Sequence, residues 1–117
     1  MIEIEIYEKN SRYSIRARGH ADYAPLGQDI VCASVSVLLQ SLGNYISEHA
    51  LEYNWRVLEC KYEKGDICID TLEELPLPGT HLKDLYHMVE DSLIDIANQY
   101  PAFLKIISKL TPERVEM

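Results

Sequence analysis

Cysteine is scarce in this chain of 117 residues: three, at positions 32, 60 and 68, an odd number that cannot all pair internally. No C-x-x-C occurs, and no cysteine–histidine group has the spacing of a zinc site. Basic residues are also in deficit, with eleven Lys and Arg against nineteen Asp and Glu, a net charge of −8. Nucleic-acid binding depends chiefly on Lys and Arg meeting phosphates, so direct nucleic-acid binding is not expected. The same balance suits a basic protein or peptide partner. The sequence is read as lacking a signal peptide and an apolar run of about 18 residues, the least that spans a bilayer. With reduced thiols, these absences give the expectation of a soluble, cytoplasmic protein that does not engage a membrane. Repeats and low-complexity segments are missing too. The length suits a single domain over residues 1–117 with one core.

What is present is periodic. Ile2, Ile4 and Ile6 alternate with Glu3, Glu5 and Tyr7, as in a strand with one buried face. Lys9-Asn10-Ser11 is a polar break of hairpin length, after which Tyr13, Ile15 and Ala17 alternate with Ser14, Arg16 and Arg18. An antiparallel pair sets Arg16 or Arg18 across from Glu3 or Glu5. From Asp29 the period changes: Val31, Val35, Leu38, Leu42 and Ile46 follow helical spacing, with Ile30 and Leu39 beside them. Asp29 is the expected N-cap, and the helix is expected to reach about His49, weakened or kinked at Gly43. Trp55 to Tyr62 and Asp66 to Thr71 flank Glu63-Lys64-Gly65 as a second hairpin. After the stiff Leu75-Pro76-Leu77-Pro78-Gly79 connection, Thr80 is expected to cap a second helix. Its stripe is Leu82, Leu85, Val89, Leu93 and Ile96, and it ends at Tyr100 before Pro101. Residues 103–107 form either a short last strand or a helical turn. The order β-β-α-β-β-α predicts an α+β fold, a two-layer sandwich of one mostly antiparallel sheet with two helices packed on it.

The chemistry concentrates between Gly19 and Leu39. His20 falls just past the second strand, where a rigid scaffold presents reactive groups. Cys32 is the third residue of the expected helix, inside the turn whose backbone N–H groups lack helical partners. A free cysteine is most often a small buried hydrophobe. Here Ile30, Val31, Val35 and Leu39 already supply the apolar face, and a helix N-terminus favours a thiolate. An unperturbed thiol is only a few per cent ionised at neutral pH, so a nearby base matters. Only His20 shares a local unit with such a thiol; His49, His81 and His87 lie on helices or at their edges. Cys60 and Cys68 read as structural. Asp29 can orient His20, or be only a cap; Ser36, one turn beyond Cys32, can donate near the site, or satisfy a carbonyl. Glu73, Glu74, Glu90 and Asp91 are expected on solvated faces.

The ordered residues Gly19-His20-Ala21, Tyr23-Ala24, Gly27, Asp29-Ile30-Val31-Cys32-Ala33 and Val35-Ser36 resemble the bacterial ribosomal-processing cysteine proteases, the Prp family. The resemblance implies a homodimeric cysteine endopeptidase. It implies removal of a short N-terminal extension from a large-subunit ribosomal protein, number twenty-seven in the L series. It carries the nucleophile to Cys32 and the general base and acid to His20, with Asp29 and Ser36 in support. It makes residues 21–28 a lid over bound peptide, including Ala21, Asp22, Tyr23, Pro25 and Gly27. Asp22 departs from the family pattern, which has glycine there. The backbone N–H groups of Cys32 and Ala33 are candidate oxyanion donors. The peptide can add as a strand to an open sheet edge.

Acyl transfer through a thiol needs no cofactor, and His20 with Cys32 offers a metal only two ligands. The alternative function is a non-catalytic module that binds a ribosomal protein or assembly factor, keeping the peptide site without the thiolate. A thiol-transfer role lacks a resolving cysteine close in sequence.

Overall fold

Alternation along the first strand is built as expected. In a computed structural model describing residues 1–25 and 29–108, β1 (Ile2–Lys9) buries Ile2, Ile4 and Ile6 and exposes the residues between them. Asn10 and Ser11, at φ 51° and 68°, form a tight left-handed turn into β2 (Arg12–Arg18). Such turns match the right-handed twist of the strands they join. The register sets Glu3 opposite Arg18 and Glu5 opposite Arg16. The ion pair itself runs diagonally, from Arg18 to Glu5 at 3.7 Å, because Arg16 turns to Asp66 on the other side.

Helix α1 (Ile30–Tyr53) buries Val31, Val35, Leu39, Leu42 and Ile46 and runs past the expected end at His49. Ala50 to Tyr53 continue the helix until Asn54 takes a left-handed conformation, φ 61°, and its N–H returns to Ala50. Gly43 does not interrupt it. A Cβ at that position would overlap the Tyr62 hydroxyl, so the glycine lets the neighbouring strand close on the helix. By length and composition alone α1 is also apolar enough to cross a membrane, mean hydropathy 1.4, which corrects the expectation that no such run exists. Its buried stripe belongs to the core cluster shared by sheet and helices.

Strands β3 (Arg56–Glu63) and β4 (Asp66–Leu72) form the second hairpin, with Trp55 left outside β3 as a buried residue. Helix α2 (Leu82–Gln99) follows, then β5 (Leu104–Ser108), so the segment expected over residues 103–107 is a strand rather than a helical turn. Strand order is β3-β4-β2-β1-β5, antiparallel except where β5 joins β1 in parallel. The sheet is therefore mixed. One face packs on both helices; the other carries the ion pairs Arg12–Asp70, Arg16–Asp66 and Lys61–Asp66. Held by Arg16 and Lys61, the Asp66 carboxyl stays well below its usual range.

Two carboxylates expected on solvated faces are buried. Glu73, 5% exposed, accepts the Leu82 N–H at 2.9 Å and pairs with His81 Nδ1 at 2.9 Å. It thus caps α2 from the end of β4, in place of the expected Thr80. Glu90, 2% exposed, lies on the inward side of α2, a phase its neighbour Val89 shares. Glu74 and Asp91 are exposed as expected.

Candidate active site

Where β2 ends, the Gly19 N–H bonds to the carbonyl of Gly65 at 2.9 Å, fastening the strand end to the β3–β4 turn. His20 follows, exposed, with its carbonyl accepting the Met1 amino group at 2.5 Å. Its imidazole lies against Gly65: a Cβ there would stand 2.8 Å from Nε2 and 3.1 Å from Cε1. Gly65 also has φ +77°, so the turn requires glycine twice over.

Asp29 organises the other half of the site. Its Oδ1 accepts the N–H groups of Val31 at 3.0 Å and Cys32 at 2.9 Å, and its Oδ2 accepts that of Tyr23 at 3.0 Å. One carboxylate thus caps α1 and holds the loop that leaves His20. Partial burial works against the ionised form, yet bonds from Cys32, Tyr23, Ala24 and Val31 outweigh it and hold the carboxyl below its usual range. Asp22 adopts φ 59°, a left-handed conformation that glycine favours and aspartate tolerates.

Cys32, half-buried in the first turn of α1, accepts the Ala21 N–H on its sulfur at 3.3 Å. His20 and Cys32 line the same two depressions. One, about 290 Å³, extends past Ser36 and Gln40 of α1 to Tyr62 and Ile67; the other, about 510 Å³, runs past Asp22, Asp29 and Ala33. His20, Cys32, Ser36 and Lys64 belong to both. The thiol and the imidazole therefore stand where two hollows meet, without a direct hydrogen bond between them among the described residues. Such an arrangement leaves room for chain on either side of a reacting bond, and in many enzymes the catalytic hydrogen bonds tighten only when substrate is bound.

The expected oxyanion donors are otherwise engaged. The Cys32 N–H is bonded to the Asp29 carboxylate, and the Ala33 N–H to the Asp29 carbonyl at 3.0 Å. Of the expected lid residues, Ala21 is a core residue, 1% exposed, while Asp22 and Pro25 are exposed. Tyr23 stands edge-on to Tyr100 and Phe103 at ring distances of 5.5 and 5.1 Å; Gly27 lies outside the described residues. Gln40, Tyr62, Lys64 and Gly65 were not singled out from the sequence. Gln40 was accessible to it, because Cys32, Ser36 and Gln40 recur every four residues along one helix face. Among the described residues, no group of three or more His, Cys, Asp or Glu side chains is placed to hold a metal ion.

No curated protein matches the sequence. Among solved structures, the chain is similar to an essential ribosomal processing protease Prp from S. aureus in complex with a covalently linked product peptide. That match has TM-score 0.76 and 23% identity, covering 93% of this chain and all of that one. The same protease with a substrate peptide matches at TM-score 0.71 and 22% identity, with the same coverage. SMU.848 from Streptococcus mutans matches at TM-score 0.65 and 21% identity, over 95% of this chain and 96% of that one. At these identities the likeness is one of fold. The sequence-level match is decisive: the model of the family described as cysteine protease Prp covers residues 1–105, and the chain belongs to that family.

Proposed function

We propose that this cysteine protease is an endopeptidase that removes the N-terminal extension of a bacterial large-subunit ribosomal protein, number twenty-seven in the L series. Cys32 is its nucleophile and His20 its general base and acid. The observation that carries the reading is the position of these two side chains at the junction of both depressions. The S. aureus protease of the same fold is described as ribosomal processing and holds a covalently linked product peptide. The acidic chain, net −8, suits a basic substrate, since ribosomal proteins work against RNA phosphate.

His20 takes the proton of the Cys32 thiol, and the thiolate attacks the scissile carbonyl. His20 then protonates the leaving amine, and the acyl group remains on sulfur as a thioester. Water, deprotonated by His20, releases the extension as a carboxylic acid and restores the thiol. Asp29 keeps the helix start and the His20 loop in register while this happens. Homodimerisation and a cytoplasmic site of action belong to the same proposal, on the strength of the family likeness.

The test is cleavage of the extended ribosomal protein by purified enzyme, read by mass spectrometry. Wild-type protein should release the extension, while Cys32→Ala should retain the fold and release none. Full cleavage by Cys32→Ala overturns the assignment. Tight peptide binding without any product from the wild type would favour a binding module instead.

A further inference from the structure

A tetrahedral intermediate needs N–H or O–H donors aimed at its oxygen, and three N–H groups in the first turn of α1 are already engaged. The N–H groups of Val31 and Cys32 are held by the Asp29 carboxylate, and that of Ala33 by the Asp29 carbonyl. One backbone N–H does point at the reacting sulfur, that of Ala21, at 3.3 Å. We propose that this N–H, contributed by the loop after β2, is the principal oxyanion donor. The inference rests on Cys32 being the nucleophile, as argued above.

The arrangement has the preorganisation such a donor requires. The Ala21 side chain is buried in the core, and two residues on the Tyr23 N–H is tied to Asp29. The peptide unit that bears this N–H is the one that follows His20, so base and donor are set by one stretch of backbone. Before attack, the N–H faces the sulfur. As the sulfur–carbon bond forms, the carbonyl π pair moves to oxygen, and the negative charge passes from sulfur to an atom two bonds away. The fixed Ala21 N–H then donates to that oxygen in place of sulfur. On collapse the C=O re-forms, the C–N bond breaks, and the amine leaves with the proton held by His20. The charge on oxygen disappears, and the N–H donates to sulfur again. The Asp29 carboxylate serves this step indirectly, by occupying the helix N–H groups and fixing the loop.

An enzyme assembled by chemical ligation with an ester in place of the His20–Ala21 amide loses this single N–H. Its kcat on a peptide spanning the extension junction should fall about 10²–10³-fold with KM little changed, as for other oxyanion donors. Affinity for a peptide aldehyde, which adds to the thiol as a tetrahedral adduct, should fall similarly. Uncleaved peptide should bind the ester form of Cys32→Ala as well as it binds Cys32→Ala itself. Wild-type protein gives a second measurement independent of folding: on aldehyde addition the Ala21 amide proton should move further downfield than those of Cys32 and Ala33. An ester enzyme within twofold of wild type in kcat and aldehyde affinity overturns the proposal. So does a larger response from the Cys32 or Ala33 amide, or a loss that Ser36→Ala reproduces while the ester does not. Wild-type protein that neither cleaves the peptide nor takes up the aldehyde would overturn the peptidase reading itself, and this donor with it.

Discussion

The His20 imidazole rests on Gly65, a residue of the β3–β4 turn more than forty positions away in sequence, close enough that a Cβ would stand 2.8 Å from Nε2. The imidazole is thus located by a turn, not by its own strand. Gly65→Ala should lower stability by about 1–2 kcal/mol, since φ +77° is a left-handed conformation. Because the added methyl also displaces the imidazole, kcat should fall well beyond what the lost stability explains. Denaturant unfolding alongside steady-state kinetics separates the two effects.

Asp29 gives a pH signature. Its carboxyl is held below its ordinary value of 3.8 by backbone N–H groups, so the folded state prefers it ionised. Its contribution is full above the unfolded value and is lost as the pH falls through the folded one. Asp29→Ala should destabilise by about 1 kcal/mol at pH 7, the usual loss of an N-cap. The stability gap between wild type and Asp29→Asn should narrow as the pH falls from 5 to 2. Urea midpoints measured across that range check both statements.

Gly43 and Tyr62 form a second close approach, between α1 and the edge strand β3. Gly43→Ala gains helix propensity, about 1 kcal/mol, yet forces its methyl into the Tyr62 hydroxyl. Overpacking of this kind costs about 1–3 kcal/mol, so the variant should be less stable than wild type. Adding Tyr62→Phe removes the overlapping oxygen and should recover part of the loss. A double-mutant cycle by thermal unfolding reads the coupling.

Cys68 should be the inert thiol. Burial, reinforced by the neighbouring Glu59 carboxylate, pushes it up to about 11. At pH 8 only about 0.1% is then thiolate, the reactive form. In native protein Cys68 should stay unmodified by iodoacetamide after exposed Cys60 has reacted, and peptide mapping shows the order.

The placement of Cys32 and His20 in the fold was legible because its signals are local. The spacing of Val31, Val35, Leu39, Leu42 and Ile46 fixed the phase of α1, and Asp29 before Ile30 marked its start. That frame placed Cys32 in the first turn and His20 at a strand end. What was not legible depends on partners remote in sequence. Nothing near Glu73 announces that its carboxylate will cap α2, because that requires β4 and α2 to meet. Glu63-Lys64-Gly65 reads as a turn, and only strand order brings it beside His20. That the Cys32 and Ala33 N–H groups are already engaged was hidden for a subtler reason. The same Asp29 that identifies the helix start also consumes the N–H groups found there.

Cys32, activated by His20, should become acylated by the substrate. Acid quenching of enzyme mixed with the extended ribosomal-protein peptide, followed by peptide mapping, tests it most directly. A thioester of the extension should appear on the fragment containing Cys32, formed much more slowly in His20→Ala. An acyl group on Cys60 or Cys68, or undiminished cleavage by Cys32→Ala, would contradict it.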